Sequence, residues 1–223
     1  MVREFNIMNI IFIIIAVLLA YLLGSIPTSV WIGKAIHGID VREHGSGNAG
    51  ATNVIRVLGW KTGVPVLLID MVKGCIAALL PVFFELAPSG SASLTNLQIL
   101  TGLTAIIGHM FPVFAGFRGG KGVATAGGVI VAIHPVVSLV CLGVFAIVFI
   151  ITGIVSVSSM TAGIAFPVLL LTLFDTPSLL FKVFSVVVAL ALLVTHRKNI
   201  KRLLKGEEKK LFGKKQKEDL TAE

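Results

Sequence analysis

Apolar residues in this chain come in long, nearly unbroken runs, not in the one-sided stripe of a helix resting on a soluble core. The runs cover about 8–30, 62–86, 96–115, 122–134, 136–152, 157–174 and 178–195, divided by Ser/Gly/Pro breaks, a polar loop at 116–121 and His134-Pro135. Most approach the roughly 20 residues that cross a hydrocarbon core of about 30 Å. The pattern predicts an all-α integral membrane protein with seven transmembrane helices, a membrane domain over 1–195 and a basic tail over 196–223. The first run has an arginine near its start and imitates a signal peptide. Val17-Leu18-Leu19-Ala20 is a poor cleavage site and more spans follow, so this run is expected to stay as the first helix. The 122–134 run is short: at 1.5 Å per residue it covers roughly 20 Å. It is predicted to begin below the membrane surface, opening on Gly119-Gly120-Lys121-Gly122. Such a helix start suits an anion, because free N–H groups and the positive end of the dipole lie inside the protein. An ordinary helix with ends a few residues away is the plainer alternative.

Composition agrees with the pattern. Residues are 56% hydrophobic and 13% charged, and mean hydropathy is +0.97, against about 25% charged in soluble domains. A formal charge of +8 would suggest nucleic acid in a soluble protein, but the excess collects after residue 196, where it reads as anchoring near anionic lipid. The expected partner is membrane lipid, with no nucleic acid. Placing the tail in the cytoplasm also places Lys34, Arg42, Arg56, Lys61, Arg118 and Lys121 there, and leaves the 87–95 loop and the Asp175 turn outside without a basic residue. Seven spans then put the amino terminus outside and the carboxyl terminus in the cytoplasm. Trp31 and Trp60 bracket the first cytoplasmic loop as interfacial anchors would. Cys75 and Cys141 lie inside apolar runs and read as packing residues.

On this topology both glycine-rich loops, a Ser156–Ser159 turn and the start of the tail face the cytoplasm together. Gly45-x-Gly47-x-x-Gly50 spells the dinucleotide fingerprint but lacks its strand and βαβ unit. A tight chain bringing amides to an oxyanion is one use for it, with Ser46, Asn48, Thr52, Asn53 and Arg56 adding side-chain contacts. A plain Gly- and Asn-rich turn is the other. Around Lys121 the P-loop pattern fails at Ala115 and at Gly122, although phosphate binding by amides and one lysine does not need the full motif. His109 could be a base, a prop for the loop or a satisfied buried imidazole. Asp70 and Lys73 share a helix face. Each costs about 2.5–3.5 kcal/mol unpaired at a helix centre, so a structural ion pair is favoured over substrate contact. No paired carboxylates, zinc-ligand spacing or Gly-x-Ser-x-Gly elbow occurs in the sequence. Many anion-holding groups and few catalysts suit a substrate that arrives already activated. A transporter of a phosphorylated small molecule would use the same groups as a gate.

The motifs, in order, resemble those of the bacterial acyl-phosphate:glycerol-3-phosphate acyltransferases. They are Gly24-Ser25-Ile26-Pro27, Gly45-Ser46-Gly47-Asn48 through Thr52-Asn53 and Arg56, Asp70-x-x-Lys73-Gly74, Gly108-His109-x-Phe111-Pro112-Val113-Phe114 through Gly119-Gly120-Lys121-Gly122, the serine turn, and His196-x-x-Asn199-Ile200-x-Arg202-Leu203-x-x-Gly206 with the acidic Glu207 after it. Gly153-Ile154 departs from the Arg and aromatic residue expected in many relatives. The resemblance implies acyl transfer from acyl phosphate to the 1-hydroxyl of sn-glycerol 3-phosphate, with no cofactor and without metal, coenzyme A or acyl carrier protein. It also implies a multi-pass protein of the bacterial cytoplasmic (inner) membrane with its site on the cytoplasmic side. The implied catalytic residues are Ser46, Lys121 and His196. The implied phosphate-binding residues are Gly45, Gly47, Asn48, Thr52, Asn53, Arg56, His109, Gly119, Gly120, Gly122, Ser156, Ser159 and Asn199.

Overall fold

Inside a bilayer every backbone polar group must find its partner within the protein, and helices meet that demand almost everywhere in this chain. A computed structural model describes residues 7–176 and 178–211. The helices are α1 (Ile7–Ser25), α2 (Thr28–His37), α3 (Ala51–Leu58), α4 (Trp60–Phe83), α5 (Ala92–Met110), α6 (Val123–Ile133), α7 (Pro135–Thr152), α8 (Val155–Thr172), α9 (Leu179–Thr195) and α10 (Arg197–Leu204). Short 3₁₀ turns lie at Val41–Glu43 and Val113–Ala115, and there is no strand among the described residues.

Five stretches are long and apolar enough to cross a membrane, and α9 with α10, bent by 59°, makes a sixth. The seventh predicted run is α6, whose 11 residues rise only about 16 Å. Its shortness matches the sequence expectation, and its N-cap is Gly122.

Three boundaries differ from the sequence reading. The first run is not one helix to residue 30, because Pro27 has no N–H to continue the ladder. The amides of Val30 and Trp31 turn back to the Pro27 carbonyl, 3.0 Å each. Ser156–Ser159 is not a turn but the first turns of α8. The reversal falls earlier, at Gly153, whose left-handed φ of 69° caps α7. The tail does not leave the bundle at residue 196: the Leu211 amide donates to the Gly153 carbonyl at 2.8 Å, and Leu211 is buried. The rest of the predicted tail, 212–223, lies outside the described residues.

Lipid tails are as apolar as leucine, so helix association here rests on close packing. Ala16 and Ala20 of α1, Ala77 of α4 and Ala105 of α5 are fully buried against one another. Helix α6 lies flush on α4, where a Cβ at Gly128 would stand 1.9 Å from the Met71 carbonyl oxygen. Between α8 and α9, Phe166 and Phe181 meet edge to face at 5.7 Å, and Phe181 stacks on Phe184 at 6.3 Å. The outward faces, including Leu139, Leu142, Ile147 and Ile150 of α7, stay apolar and exposed, as a lipid-facing surface requires.

Candidate phosphate-binding site

The first glycine-rich loop is organised from within by Asn53. Its Oδ1 accepts from the Ser46 amide at 2.8 Å and the Ser46 hydroxyl at 3.0 Å. Its Nδ2 donates to the carbonyls of Val41 at 2.8 Å and His44 at 3.1 Å. Gly45 takes φ 62° beside it, and a Cβ there would stand 2.5 Å from Asn53 Oδ1. Asn53 is only 1% exposed, so the sequence expectation of a direct anion donor becomes that of an internal brace. Gly45, Ser46 and Gly47 are exposed on the loop's outer side, with Asn48 and Thr52 half-buried beside them.

Arg42 ties this loop to the second one. Its guanidinium is forked on Asp40, with Nε at 2.9 Å and Nη2 at 2.7 Å, and that contact holds the Asp40 carboxyl well below the usual range. Its Nη1 donates to the carbonyls of Ala115 at 2.7 Å and Arg118 at 3.3 Å.

The second group of predicted residues gathers around a side chain the sequence reading missed. The Glu208 carboxylate, 2% exposed, accepts from Ser156 Oγ at 2.8 Å, Asn199 Nδ2 at 2.5 Å and Arg202 Nε at 2.6 Å. Asn199 Oδ1 in turn accepts from Lys121 Nζ. Burial works against the Glu208 charge, but these donors more than offset it and the carboxyl stays below its ordinary pKa. Burial pushes Lys121 down to about 8; Glu208 pulls it up, while Arg202 and Arg56 push it further down. Arg56 is depressed mainly by burial. Its Nη2 reaches the Lys209 carbonyl at 3.4 Å, whereas its Nε is buried with no hydrogen-bond partner among the described residues.

His196 sits at the α9–α10 bend, 3% exposed. Its Nδ1 lies 2.8 Å from the Leu192 carbonyl, which only accepts, so Nδ1 carries the hydrogen and Nε2 is left with its lone pair. Burial, with Lys121 adding to it, pushes His196 down to about 4. The ring is therefore neutral at physiological pH. Ser159 is buried one turn further along α8 than Ser156.

The remaining predicted residues form the floor. Asp70 and Lys73 do pair, at 2.8 Å and nearly fully buried. His109, 7% exposed, faces Asp70 at 3.7 Å and lies beneath the second loop. Of the readings open for it, a buried prop fits this placement. Among the described residues no group of three or more His, Cys, Asp or Glu side chains could hold a metal ion. Arg202 had a visible signal as a member of the last motif, and its i, i+3 spacing from Asn199 suits one helix face. Glu208 stands next to Glu207, the acidic residue that closes that motif, but its partner Ser156 is 52 residues away.

Two anion-suited surfaces thus meet at one end of the bundle: an exposed glycine-rich loop and a half-buried cluster of cations around Glu208. The family model described as glycerol-3-phosphate acyltransferase matches residues 14–206. A relative from Chlorobium phaeobacteroides (strain BS1), named glycerol-3-phosphate acyltransferase, is 44% identical over 226 residues, covering 89% of this chain and 96% of its own. One of the same name from Chlorobaculum tepidum is 46% identical over 224 residues, covering 89% and 97%. The fold superposes on the crystal structure of PlsY (YgiH), an integral membrane glycerol 3-phosphate acyltransferase, in its glycerol 3-phosphate form, with TM-score 0.82, 41% identity and 94% and 98% of the two chains covered. The lysophosphatidic acid form of PlsY gives TM-score 0.77 at 39% identity, covering 92% and 97%. This chain belongs to the family of integral membrane glycerol-3-phosphate acyltransferases.

Proposed function

We propose that this chain transfers a fatty acyl group from acyl phosphate to the 1-hydroxyl of sn-glycerol 3-phosphate, forming lysophosphatidic acid and inorganic phosphate for phospholipid synthesis. The observation that carries the reading is a charge balance. Three cations, Arg56, Lys121 and Arg202, interact around one carboxylate, Glu208. Two positive charges stay uncompensated, which suits a phosphate monoester dianion, and the buried, unpartnered Arg56 Nε adds a donor for it. The transporter reading draws no support from the relatives.

In this mechanism the glycerol hydroxyl oxygen attacks the acyl carbonyl carbon and the bond from that carbon to the phosphate oxygen breaks. Lys121, Arg56 and the loop amides stabilise the departing phosphate. Asn199, and Ser156 on turning its hydroxyl from Glu208, hold phosphate oxygens, and the second phosphate lies over the exposed Gly45–Gly47 loop, where Ser46 turns its hydroxyl from Asn53 to meet it. His196, neutral and with Nε2 free to accept, orients the hydroxyl. A ring with a pKa of about 4 is too weak a base to keep the proton, so the proton passes to a substrate phosphate oxygen.

The topology we infer has seven spans, counting α6 and α9. The amino terminus is outside, and the site and the 196–223 tail lie on the cytoplasmic side of the inner membrane. Charge supports this: the cations of both loops and of α10 lie at the end of the bundle where Lys121 meets Asn199. The test is purified protein, in detergent and in bilayers, given palmitoyl phosphate and glycerol 3-phosphate. Lysophosphatidic acid and phosphate in equal amounts are expected. No product in either setting, or uptake into vesicles without turnover, overturns the reading.

A further inference from the structure

The proposed mechanism makes no use of three buried polar side chains, Asp70 and Lys73 of α4 and His109 near the end of α5. Their contacts run in one direction. Lys73 Nζ donates to the Ile26 carbonyl at 2.8 Å, at the break between α1 and α2. Asp70 Oδ1 accepts from Lys73 at 2.8 Å and from Thr28 Oγ1 at 3.0 Å, so the first residue of α2 is tied to the same carboxylate. The third group facing that oxygen is His109 Nδ1.

The other edge of the imidazole meets the second loop. A Cβ at Gly120 would stand 2.2 Å from His109 Nε2, so only glycine lets the backbone rest on the ring there. The Gly120 amide donates to the His109 carbonyl and the Gly119 amide to the Met110 carbonyl, 3.2 Å each. A cavity of about 10 Å³ lies at the junction, bordered by Thr28, Asp70, Lys73, His109, Gly119 and Gly120. The ring is covered by the backbone that leads into Lys121, which places it under the loop.

We propose that Asp70, Lys73 and His109 are positioning residues: a buried strut that takes its footing on the α1–α2 break and sets the height of Gly119–Gly120, and through them the direction of the Lys121 ammonium. The chain break at Pro27 serves this strut, because it brings the Ile26 carbonyl and the Thr28 hydroxyl to the two charges of α4. Leucine at His109 fills space without the Asp70 contact. Asparagine places an amide N–H near the position of Nδ1 and restores it.

The effect on turnover rests on the acyltransferase reading, so the experiment has one readout that does not. Full-length protein in lipid nanodiscs is compared as wild type, His109→Leu, His109→Asn and Asp70→Asn. Hydrogen–deuterium exchange of peptides over 111–122 is expected to speed at least tenfold in His109→Leu and Asp70→Asn, and to return most of the way in His109→Asn. Peptides from α7 should not change. In the same samples kcat is expected to fall at least tenfold, with KM for glycerol 3-phosphate within threefold. Exchange over 111–122 within twofold of wild type in His109→Leu, or faster exchange spread evenly over all helices, overturns the strut. If His109→Leu does not fold, the same criteria apply to Asp70→Asn. A wild type that makes no lysophosphatidic acid, in a series that still shows the exchange effects, would overturn the acyltransferase reading and leave the strut standing.

Discussion

The two glycine-rich loops lie side by side but are held in different ways. The 44–53 loop is closed on itself, its amides and carbonyls gathered by Asn53, nine residues after His44. Among the described residues the 119–122 loop has no such brace of its own. Its position depends on α5 through His109 and Met110, and its lysine depends on α10 through Asn199. A self-braced loop presents a fixed surface to a substrate. A loop held from outside transmits whatever happens to its supports.

The largest effect that can break this comparison is expected from Lys121→Ala. Loss of the central cation should lower kcat/KM by about 10²–10³-fold while the protein stays inserted and melts near the wild-type temperature. Near-normal turnover at saturating substrate would show that the cationic pocket does not act in the reaction.

Asn53→Ala is expected to act the other way round, through the fold of the loop. It leaves the Ser46 amide and the Val41 and His44 carbonyls without their partner. A cost of about 2 kcal/mol should appear as a lower melting temperature together with a loss of activity of roughly tenfold or more. A variant that loses activity with an unchanged melt would make Asn53 a direct ligand after all.

The next effect is a pH dependence confined to the second loop. Burial places Lys121 at about 8, so its ammonium is charged below that pH and lost above it. Between pH 7 and pH 9, kcat/KM should fall by about tenfold in the wild type. The Lys121→Ala profile should be flat over the same interval. A wild-type profile just as flat would mean that the charge of Lys121 does not matter.

The smallest effect is expected at the tie between the loops. Arg42→Lys removes the fork on Asp40 and at least one of the bonds to Ala115 and Arg118, a change of about 1 kcal/mol and a few-fold in turnover. Loss as large as that of Asn53→Ala would show that the first loop is not self-braced.

The sequence made the membrane class, the positions of the apolar runs and the short α6 legible, because each follows from hydropathy and length alone. Pairing of Asp70 with Lys73 was also legible, since two unpaired charges inside a span are costly. The helix break at Pro27 was less so. Proline permits a break, but the partner that uses it, Lys73, comes 46 residues later. Asn53 and Ser46 looked alike as small polar groups in a glycine-rich stretch; only the fold of the loop turns one inward and leaves the other at the surface. Glu208 was hidden in a basic tail, where an acidic residue reads as solvated charge until the tail is seen to cross the bundle.

That crossing has a consequence for how the site comes together. Glu208 is bound by Ser156, Asn199 and Arg202, and the chain continues to Leu211 against Gly153. Arg56 and Lys121 precede their shared carboxylate by 152 and 87 residues, so the cluster cannot assemble from neighbours along the chain: it closes only once α8 and α10 have packed beside the two loops.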